Sequence, residues 1–159
     1  CNDNNGSVSG KLIVKDNTFD GILQYAIFTA ATTLSEIEIS GNTFNNCATG
    51  AISIRQLTIP ETGTTIKITN NTIRSTSGTD IEIVHSAEES TNLTILVENN
   101  TFYSKASKIY TNRNATGSGS TVVSKTQFKK NNKVYDENNT LVDLSTLMST
   151  KIENATLVD

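Results

Sequence analysis

A repeat with nearly constant spacing constrains this chain more than any other feature. One motif recurs as LIVKDNTF (12–19), IEISGNTF (37–44), IKITNNTI (66–73) and ILVENNTF (95–102), with a weaker copy, TVVSKTQF, at 121–128. A second motif follows each of the first four copies, as AIFT (26–29), AISI (51–54), DIEI (80–83) and KIYT (108–111). Two strand signals that keep one phase over several copies are typical of solenoids, which stack one structural unit on the next.

Each motif has the pattern of a short β-strand. Apolar and polar residues alternate, as in Leu12 and Val14, and β-branched residues are dense. The sequence therefore predicts an all-β, right-handed parallel β-helix of about five coils, each built from three short strands. Its predicted divisions are a polar N-terminal tether (1–10), the β-helix (11–128) and a C-terminal capping or strand-exchanging segment (129–159).

The turn after the first strand of each coil carries an asparagine at a fixed place. Asparagine, aspartate or glycine precedes it, and these residue types tolerate a left-handed backbone. One left-handed residue bends the chain and directs the asparagine into the core, where stacked amides hydrogen-bond along the coil axis. The predicted ladder consists of Asn17, Asn42, Asn71 and Asn100.

These residues resemble a known family. The pattern IxIxxNTF, with an asparagine at a two-residue turn, resembles the right-handed parallel β-helices of the pectin-lyase-like superfamily. The stretch FNNCATGAI (44–52) is similar to repeats of bacterial and archaeal surface adhesins and autotransporter passengers. The resemblance covers roughly residues 8–128 and implies the architecture. It implies no single function, because that fold carries lyases, hydrolases, adhesins and inert fibres alike.

The second-strand face, where pectin-lyase-like enzymes usually act, has few groups suited to catalysis. The outward residues expected there are Phe28, Arg55, Asp80, Glu82 and Tyr110. We expect Asp80 to form an exposed ion pair with Lys108, and Glu82 to lie between Ser53 and Tyr110. Acid–base catalysis needs two convergent titratable groups, and Glu82 has no second carboxylate beside it. We therefore predict no catalytic residue, and the five outward residues form a candidate glycan-binding face.

Metal ions, cofactors, nucleic acid and a membrane span are not expected. His85 is predicted to lie in a solvated loop with Glu88 and Glu89, and no Cys or His stands at ligand spacing from it. A formal net charge of −3 disfavours binding to nucleic acid. No apolar run reaches the roughly 20 residues of a membrane span.

The two ends of the chain carry further candidates. Cys1 and Cys47 are the candidates for one disulfide, within the chain or between subunits, with reduced thiols as the alternative. A chain that begins with Cys1 and a polar tether is also similar to a processed bacterial lipoprotein. Two copies of a short phrase, NNTLVD (138–143) and NATLVD (154–159), suggest strands that cap the solenoid or add to a neighbouring subunit. The candidate inter-subunit strand residues are Thr140, Leu141, Val142, Thr156, Leu157 and Val158.

These observations favour a secreted, non-enzymatic structural or adhesive module, located outside the cell or on its surface. Its expected partners are copies of itself, assembled end to end into a fibre or surface structure, together with surface glycans. The alternatives are a lyase or hydrolase fragment that acts on acidic polysaccharide, and a carbohydrate-binding module on the face that contains Phe28 and Tyr110.

Overall fold

The chain folds as a parallel β-solenoid of about four turns, close to the five coils expected from the sequence. The computed structural model describes residues 8–75, 77–85, 92–103, 105–114 and 126–159. The solenoid has three faces, and every coil contributes one strand to each face. The described residues contribute strands to all three faces in four coils, and the described part of a fifth coil starts with Thr126.

Strands of successive coils pair in parallel along each face. The first face contains β1 (Val8–Lys15), the second half of β3 (Tyr25–Ser40), β6 (Thr64–Thr69), β9 (Leu93–Glu98), β12 (Thr126–Lys129) and β16 (Thr156–Val158). The second face contains β2 (Thr18–Asp20), β4 (Thr43–Cys47), β7 (Thr72–Ser75), β10 (Thr101–Tyr103), β13 (Lys133–Tyr135) and β14 (Leu141–Val142). The third face contains the first half of β3, β5 (Gly50–Thr58), β8 (Thr79–His85), β11 (Lys108–Asn114) and β15 (Ile152–Glu153). Because β3 runs around a corner, the first and third faces join into one sheet.

Apolar side chains from the three faces stack in columns inside the solenoid. The first column is Val14, Ile39, Ile68, Val97, Phe128 and Leu157. The second is Phe19, Phe44, Ile73, Phe102, Val134 and Val142. The third is Ile27, Ile52, Ile81, Tyr110 and Ile152. Their middle members are fully buried, and Phe19 stacks on Phe44 with ring centroids 5.1 Å apart.

The two-residue turn between the first and second faces has the backbone that the sequence suggested. Its first residue is left-handed in four coils: φ is 55° at Asp16, 67° at Gly41, 58° at Asn70 and 54° at Asn99. The following asparagine then points inward. The Nδ2 group of Asn42 lies 3.1 Å from Asn71 Oδ1, and the Nδ2 group of Asn71 lies 2.9 Å from Asn100 Oδ1.

The asparagine ladder has two different ends. Asn17 begins it, exposed to solvent, with its Nδ2 group 3.3 Å from Asn42 Oδ1. Asn132, which the sequence analysis missed, ends it: Oδ1 accepts from Asn100 Nδ2 at 3.0 Å. The Asn132 backbone N–H and Nδ2 group both donate to the carbonyl of Lys129 instead of to a further asparagine. The ladder is therefore closed at its C-terminal end by the chain itself.

The fifth coil differs from the sequence prediction. The weak copy TVVSKTQF placed Phe128 in the column of Phe102, but β12 pairs Phe128 with Val97. Val134 takes the place beside Phe102, because Lys130 lengthens the turn by one residue. The repeat therefore continues through residue 135, beyond the predicted boundary at 128.

The C-terminal segment adds one strand to each face. β14, which follows Thr140, pairs antiparallel with β13, and β16 pairs parallel with β12. Between them lie a 3₁₀-helix, η1 (Leu144–Leu147), and β15 on the third face. The Asp143 carboxylate caps η1 by accepting from the Ser145 N–H at 2.9 Å. Both TLVD phrases are thus strands that pair within their own chain.

Candidate functional site

Charged and aromatic side chains meet on the outer surface of the third face. We define the Glu82 cluster as the side chains of Tyr25, Phe28, Ser53, Arg55, Glu82 and Arg113. They come from four successive coils, because strand pairing places Phe28, Ser53 and Glu82 in one outward row. Phe28, Ser53, Arg55 and Glu82 were expected here from the sequence.

The Glu82 carboxylate forms the centre of this cluster. Its Oε2 atom accepts from Arg55 Nε at 2.8 Å, Arg55 Nη2 at 2.7 Å and Ser53 Oγ at 3.0 Å. Its Oε1 atom accepts from Arg113 Nη2 at 3.3 Å. Glu82 as a whole is only 7% exposed, so both carboxylate oxygens are used within the protein.

The electrostatics of the cluster favour an ionised carboxylate. Burial opposes ionisation of Glu82, but hydrogen bonds from Arg55 and Ser53 and the charge of Arg55 outweigh it. The pKa of Glu82 therefore lies below its ordinary value of 4.5. Hydrogen bonding to Glu82 raises the pKa of Arg55, and burial beside Glu82 raises the pKa of the Tyr25 hydroxyl. A glutamate held in this state is a poor proton donor near neutral pH.

The two arginines and the aromatic rings form the accessible part of the cluster. The Arg55 guanidinium lies 5.7 Å from the Tyr25 ring centre and 5.9 Å from that of Phe28, within the range of cation–π attraction. Phe28 is 41% exposed, and the side chains of Arg55 and Arg113 are 42% and 55% exposed. Two cations around one anion leave one net positive charge beside an exposed ring.

Tyr110 does not lie on this face, contrary to the sequence prediction. It pairs with Ile81, points inward and is fully buried, with its hydroxyl 2.8 Å from Thr126 Oγ1. Burial raises the pKa of Tyr110 well above its ordinary value. The prediction aligned Ile109 with Ile81, which shifts β11 by one residue and turns each side chain to the opposite side of the sheet.

Asp80 is also misplaced by the sequence prediction. It is fully buried at the corner where the third face begins, not exposed beside Lys108. Lys108 instead forms an ion pair with Glu153 of β15. Burial and the negative charges of Asp80 and Asp20 raise the pKa of the Cys47 thiol.

His85 and Cys47 are core residues in the structure. His85 is the last residue of β8 and is fully buried, not part of a loop, while Glu88 and Glu89 lie outside the described residues. Cys47 ends β4, fully buried, with its Sγ atom 3.7 Å from the Asn45 carbonyl oxygen. Cys1 lies outside the described residues, so a disulfide with Cys47 stays a prediction.

Arg113 and Tyr25 are members of the cluster that sequence reasoning missed. Arg113 reaches Glu82 because β11 pairs Thr111 with Glu82 and Arg113 with Val84. The signal was present in the spacing: Ile27, Ile52 and Ile81 each follow the last residue of the first motif by eight, and Tyr110 follows Phe102 by eight. That alignment places Tyr110 inside and Arg113 outside.

A second candidate surface lies at the N-terminal end of the solenoid. The N-terminal groove is a concave space of about 370 Å³ over the first coil. Its apolar lining consists of Leu12, Val14, Phe19, Ala26, Ile27, Phe28 and Leu34, so Phe28 borders both this groove and the Glu82 cluster. Four of these seven side chains, Leu12, Val14, Phe19 and Ala26, are only partly buried, whereas their counterparts in the middle coils are fully buried. Among the described residues, no strand pairs with the outer edge of β1 or β2.

Neither a cluster of metal-binding side chains nor a membrane-spanning helix is present in the described part of the chain. No group of three or more His, Cys, Asp or Glu side chains there is arranged to hold a metal ion. No helix among the described residues is long and apolar enough to cross a membrane.

Comparison with known proteins adds no family assignment. No family model matches the chain, and no curated protein or solved structure matches it significantly.

Proposed function

We propose that this protein is a non-enzymatic structural and adhesive module that acts outside the cell or on its surface and joins further copies end to end. The single observation that carries the proposal is the first coil, whose outer edge pairs with no strand among the described residues. Apolar columns that are sealed in the middle of the solenoid end there in a groove. Exposed apolar surface of this kind marks an interaction site in soluble proteins.

The backbone of the first coil supports the same proposal. β1 and β2 are edge strands, and natural proteins protect such edges because they add readily to other strands. In the inner coils each ladder Oδ1 atom accepts two N–H groups from the preceding asparagine, as Asn71 Oδ1 does from Asn42. Among the described residues, nothing donates to Asn17 Oδ1 in this way. A further coil placed on this end would cover the groove.

The state of Glu82 supports a role without catalysis. Glycoside hydrolysis uses a protonated carboxylic acid together with a second carboxylate at a set distance. Glu82 is ionised, and both of its oxygens accept from Arg55, Ser53 or Arg113. Its interactions are those of a structural ion pair that joins neighbouring coils.

Sedimentation velocity over a range of protein concentrations tests the proposed association. We expect the mass to rise with concentration, and Val14→Asp to keep the protein monomeric by placing a charge in the N-terminal groove. Leu23→Asp is the matched control, because Leu23 is 85% exposed in the same coil and does not line the groove. A wild-type protein that stays monomeric at all concentrations would contradict the proposal. An unfolding curve of Val14→Asp verifies that the first coil is still folded.

A second candidate function is glycan binding at the Glu82 cluster. The observation that favours it is the exposed ring of Phe28 beside two half-exposed guanidinium groups. Arginine matches carboxylate or sulfate groups in shape and charge, and an aromatic ring packs against the apolar face of a sugar. Calorimetric titration with acidic polysaccharides tests it. We expect Phe28→Ala and Arg113→Ser to abolish binding, while Lys67→Ser, on the first face, leaves it unchanged.

A further inference from the structure

The C-terminal end of the solenoid is built as a continuation of the three faces. β16 is the last strand of the first face and β14 the last strand of the second, and no described strand pairs with their outer edges. On the third face, β15 is followed by one isolated parallel bridge between Ile152 and Met148. The end thus presents strand edges in the same three columns that begin at β1, β2 and β3.

The inner side chains at the two ends match in chemistry. The three columns end at Leu157, Val142 and Met148, which are apolar and partly buried. They begin at Val14, Phe19 and Ile27, which line the N-terminal groove. Stacking the two ends would therefore place apolar side chains against apolar side chains in every column and remove both sets from water.

On the first face the direction of the strands matches as well, whereas β14 on the second face runs antiparallel to β13. Each inner strand of the first face pairs in parallel with one strand on its N-terminal side and with another on its C-terminal side. β16 pairs in parallel with β12 through one edge. Its other edge is the kind that receives the next parallel strand. β1 lacks that neighbour on its N-terminal side among the described residues, so β16 of one copy and β1 of another complete each other.

We propose that the N-terminal groove binds the C-terminal end of a second copy, with β16 running parallel to β1. This inference rests on the proposed end-to-end function and names its mating surfaces. The existing register sets the contacts, because Gln127 pairs with Thr156 and Phe128 with Leu157. In the assembly Thr156 lies beside Ile13 of the next copy, and Leu157 beside Val14. Because the two surfaces differ and lie at opposite ends of the solenoid, repeated contacts extend the assembly along the coil axis as a filament.

The size of the contact suits a stable interface. The first coil, residues 8–33, offers a number of residues in the range of roughly 20–30 per partner that standard protein interfaces use. The C-terminal end of a second copy supplies one apolar residue for each of the three columns, Leu157, Val142 and Met148.

Chemical cross-linking between single-cysteine variants tests this arrangement. Ile13→Cys and Thr156→Cys, both in a Cys1→Ser background, are treated with a short bismaleimide, separately and as a mixture. Both native side chains are exposed, and within one chain the two positions are five strands apart, about 24 Å. We expect a covalent dimer in the mixture and in neither variant alone. Lys67→Cys mixed with Thr156→Cys is the control and should give no dimer.

The possible outcomes separate this inference from the proposed function. A dimer of Ile13→Cys alone would mean that two N-terminal ends meet, which overturns this inference but leaves end-to-end association standing. A dimer of Thr156→Cys alone would overturn it in the same way. If the protein still associates in sedimentation but forms no covalent dimer, the proposed contact between the N-terminal groove and the C-terminal end is refuted. No dimer from a protein that stays monomeric would refute both proposals.

Discussion

Replacement of Asn71 by alanine is the change whose effect the structure specifies best. Its Nδ2 group donates to the Ile39 carbonyl and to Asn100 Oδ1, both at 2.9 Å. Its Oδ1 atom accepts from the backbone N–H of Asn42 at 2.9 Å and from Asn42 Nδ2 at 3.1 Å. Asn71 is buried at 1% exposure, so water cannot replace these bonds without opening the turn.

The magnitude follows from the groups that alanine leaves behind. The Asn42 N–H loses its acceptor, and an unsatisfied buried donor costs roughly 1–3 kcal/mol. The Ile39 carbonyl loses one donor, while Asn100 Oδ1 keeps the Asn71 backbone N–H at 3.0 Å. We therefore expect Asn71→Ala to lower the free energy of unfolding by about 2–4 kcal/mol.

Asn17→Ala is the matched control at the exposed end of the ladder. It removes bonds from Asn17 Nδ2 to the Lys15 carbonyl and to Asn42 Oδ1, which keeps the Asn17 backbone N–H. No buried donor loses its acceptor, so the expected loss is below about 1 kcal/mol. Urea unfolding followed by circular dichroism measures both variants. Equal stability of Asn71→Ala and Asn17→Ala would refute the ladder as a source of stability.

Three further predictions concern single residues. Tyr110→Phe should cost about 1 kcal/mol in urea unfolding because it removes the buried bond to Thr126; no change would place the hydroxyl in solvent. Glu82→Gln should lower stability by about 1–3 kcal/mol at neutral pH. Because folding lowers the Glu82 pKa, the ionised carboxylate stabilises the folded protein at pH values above the unfolded pKa near 4.5. This stabilisation is lost as pH falls through the lower folded pKa. An equal difference in stability between wild type and Glu82→Gln at pH 7 and at pH 2 would contradict the prediction. Gly50→Ala should prevent folding or cost several kcal/mol, because its Cβ would overlap the Thr79 carbonyl oxygen; a normal melting temperature would contradict that packing.

The sequence predicted those parts of the fold that depend on local chemistry. The left-handed positions at Asp16, Gly41, Asn70 and Asn99 required residue types that adopt that backbone, and such residues are visible in the chain. The side chain of the asparagine that follows each of them hydrogen-bonds to the equivalent asparagine of the next coil. Local rules therefore sufficed for the first two faces in the first four coils.

The register of the third face required more than local patterns. Ile109 and Tyr110 are adjacent in one strand, and both side chains are largely apolar. The alternation of apolar and polar residues is therefore compatible with either of them pointing inward. The choice of Ile109 moved Tyr110 to the surface and hid Arg113, because a slip of one residue exchanges the two faces of a strand. The Glu82–Arg113 contact, at 3.3 Å, depends on this register and could not be predicted before it was fixed.

In the fifth coil, one additional turn residue changes the register in a way that the sequence pattern did not predict. Lys130 adds one residue between β12 and β13, and the phrase KKNNK no longer matches the shorter copies. Tertiary pairing identifies Asn132 as the last ladder residue because it binds Asn100. A sequence repeat with variable turns therefore predicts the number of coils better than the register of the last one.

Electron cryomicroscopy of the concentrated protein tests the central claim, end-to-end assembly, most directly. The first face contains six strands from β1 to β16, so one copy spans about 29 Å at the usual spacing of about 4.8 Å between strands. The proposed stacking predicts unbranched filaments with an axial repeat of about 29 Å and one continuous strand spacing across the subunit boundary. Separate particles of one chain each, at every concentration examined, would contradict it.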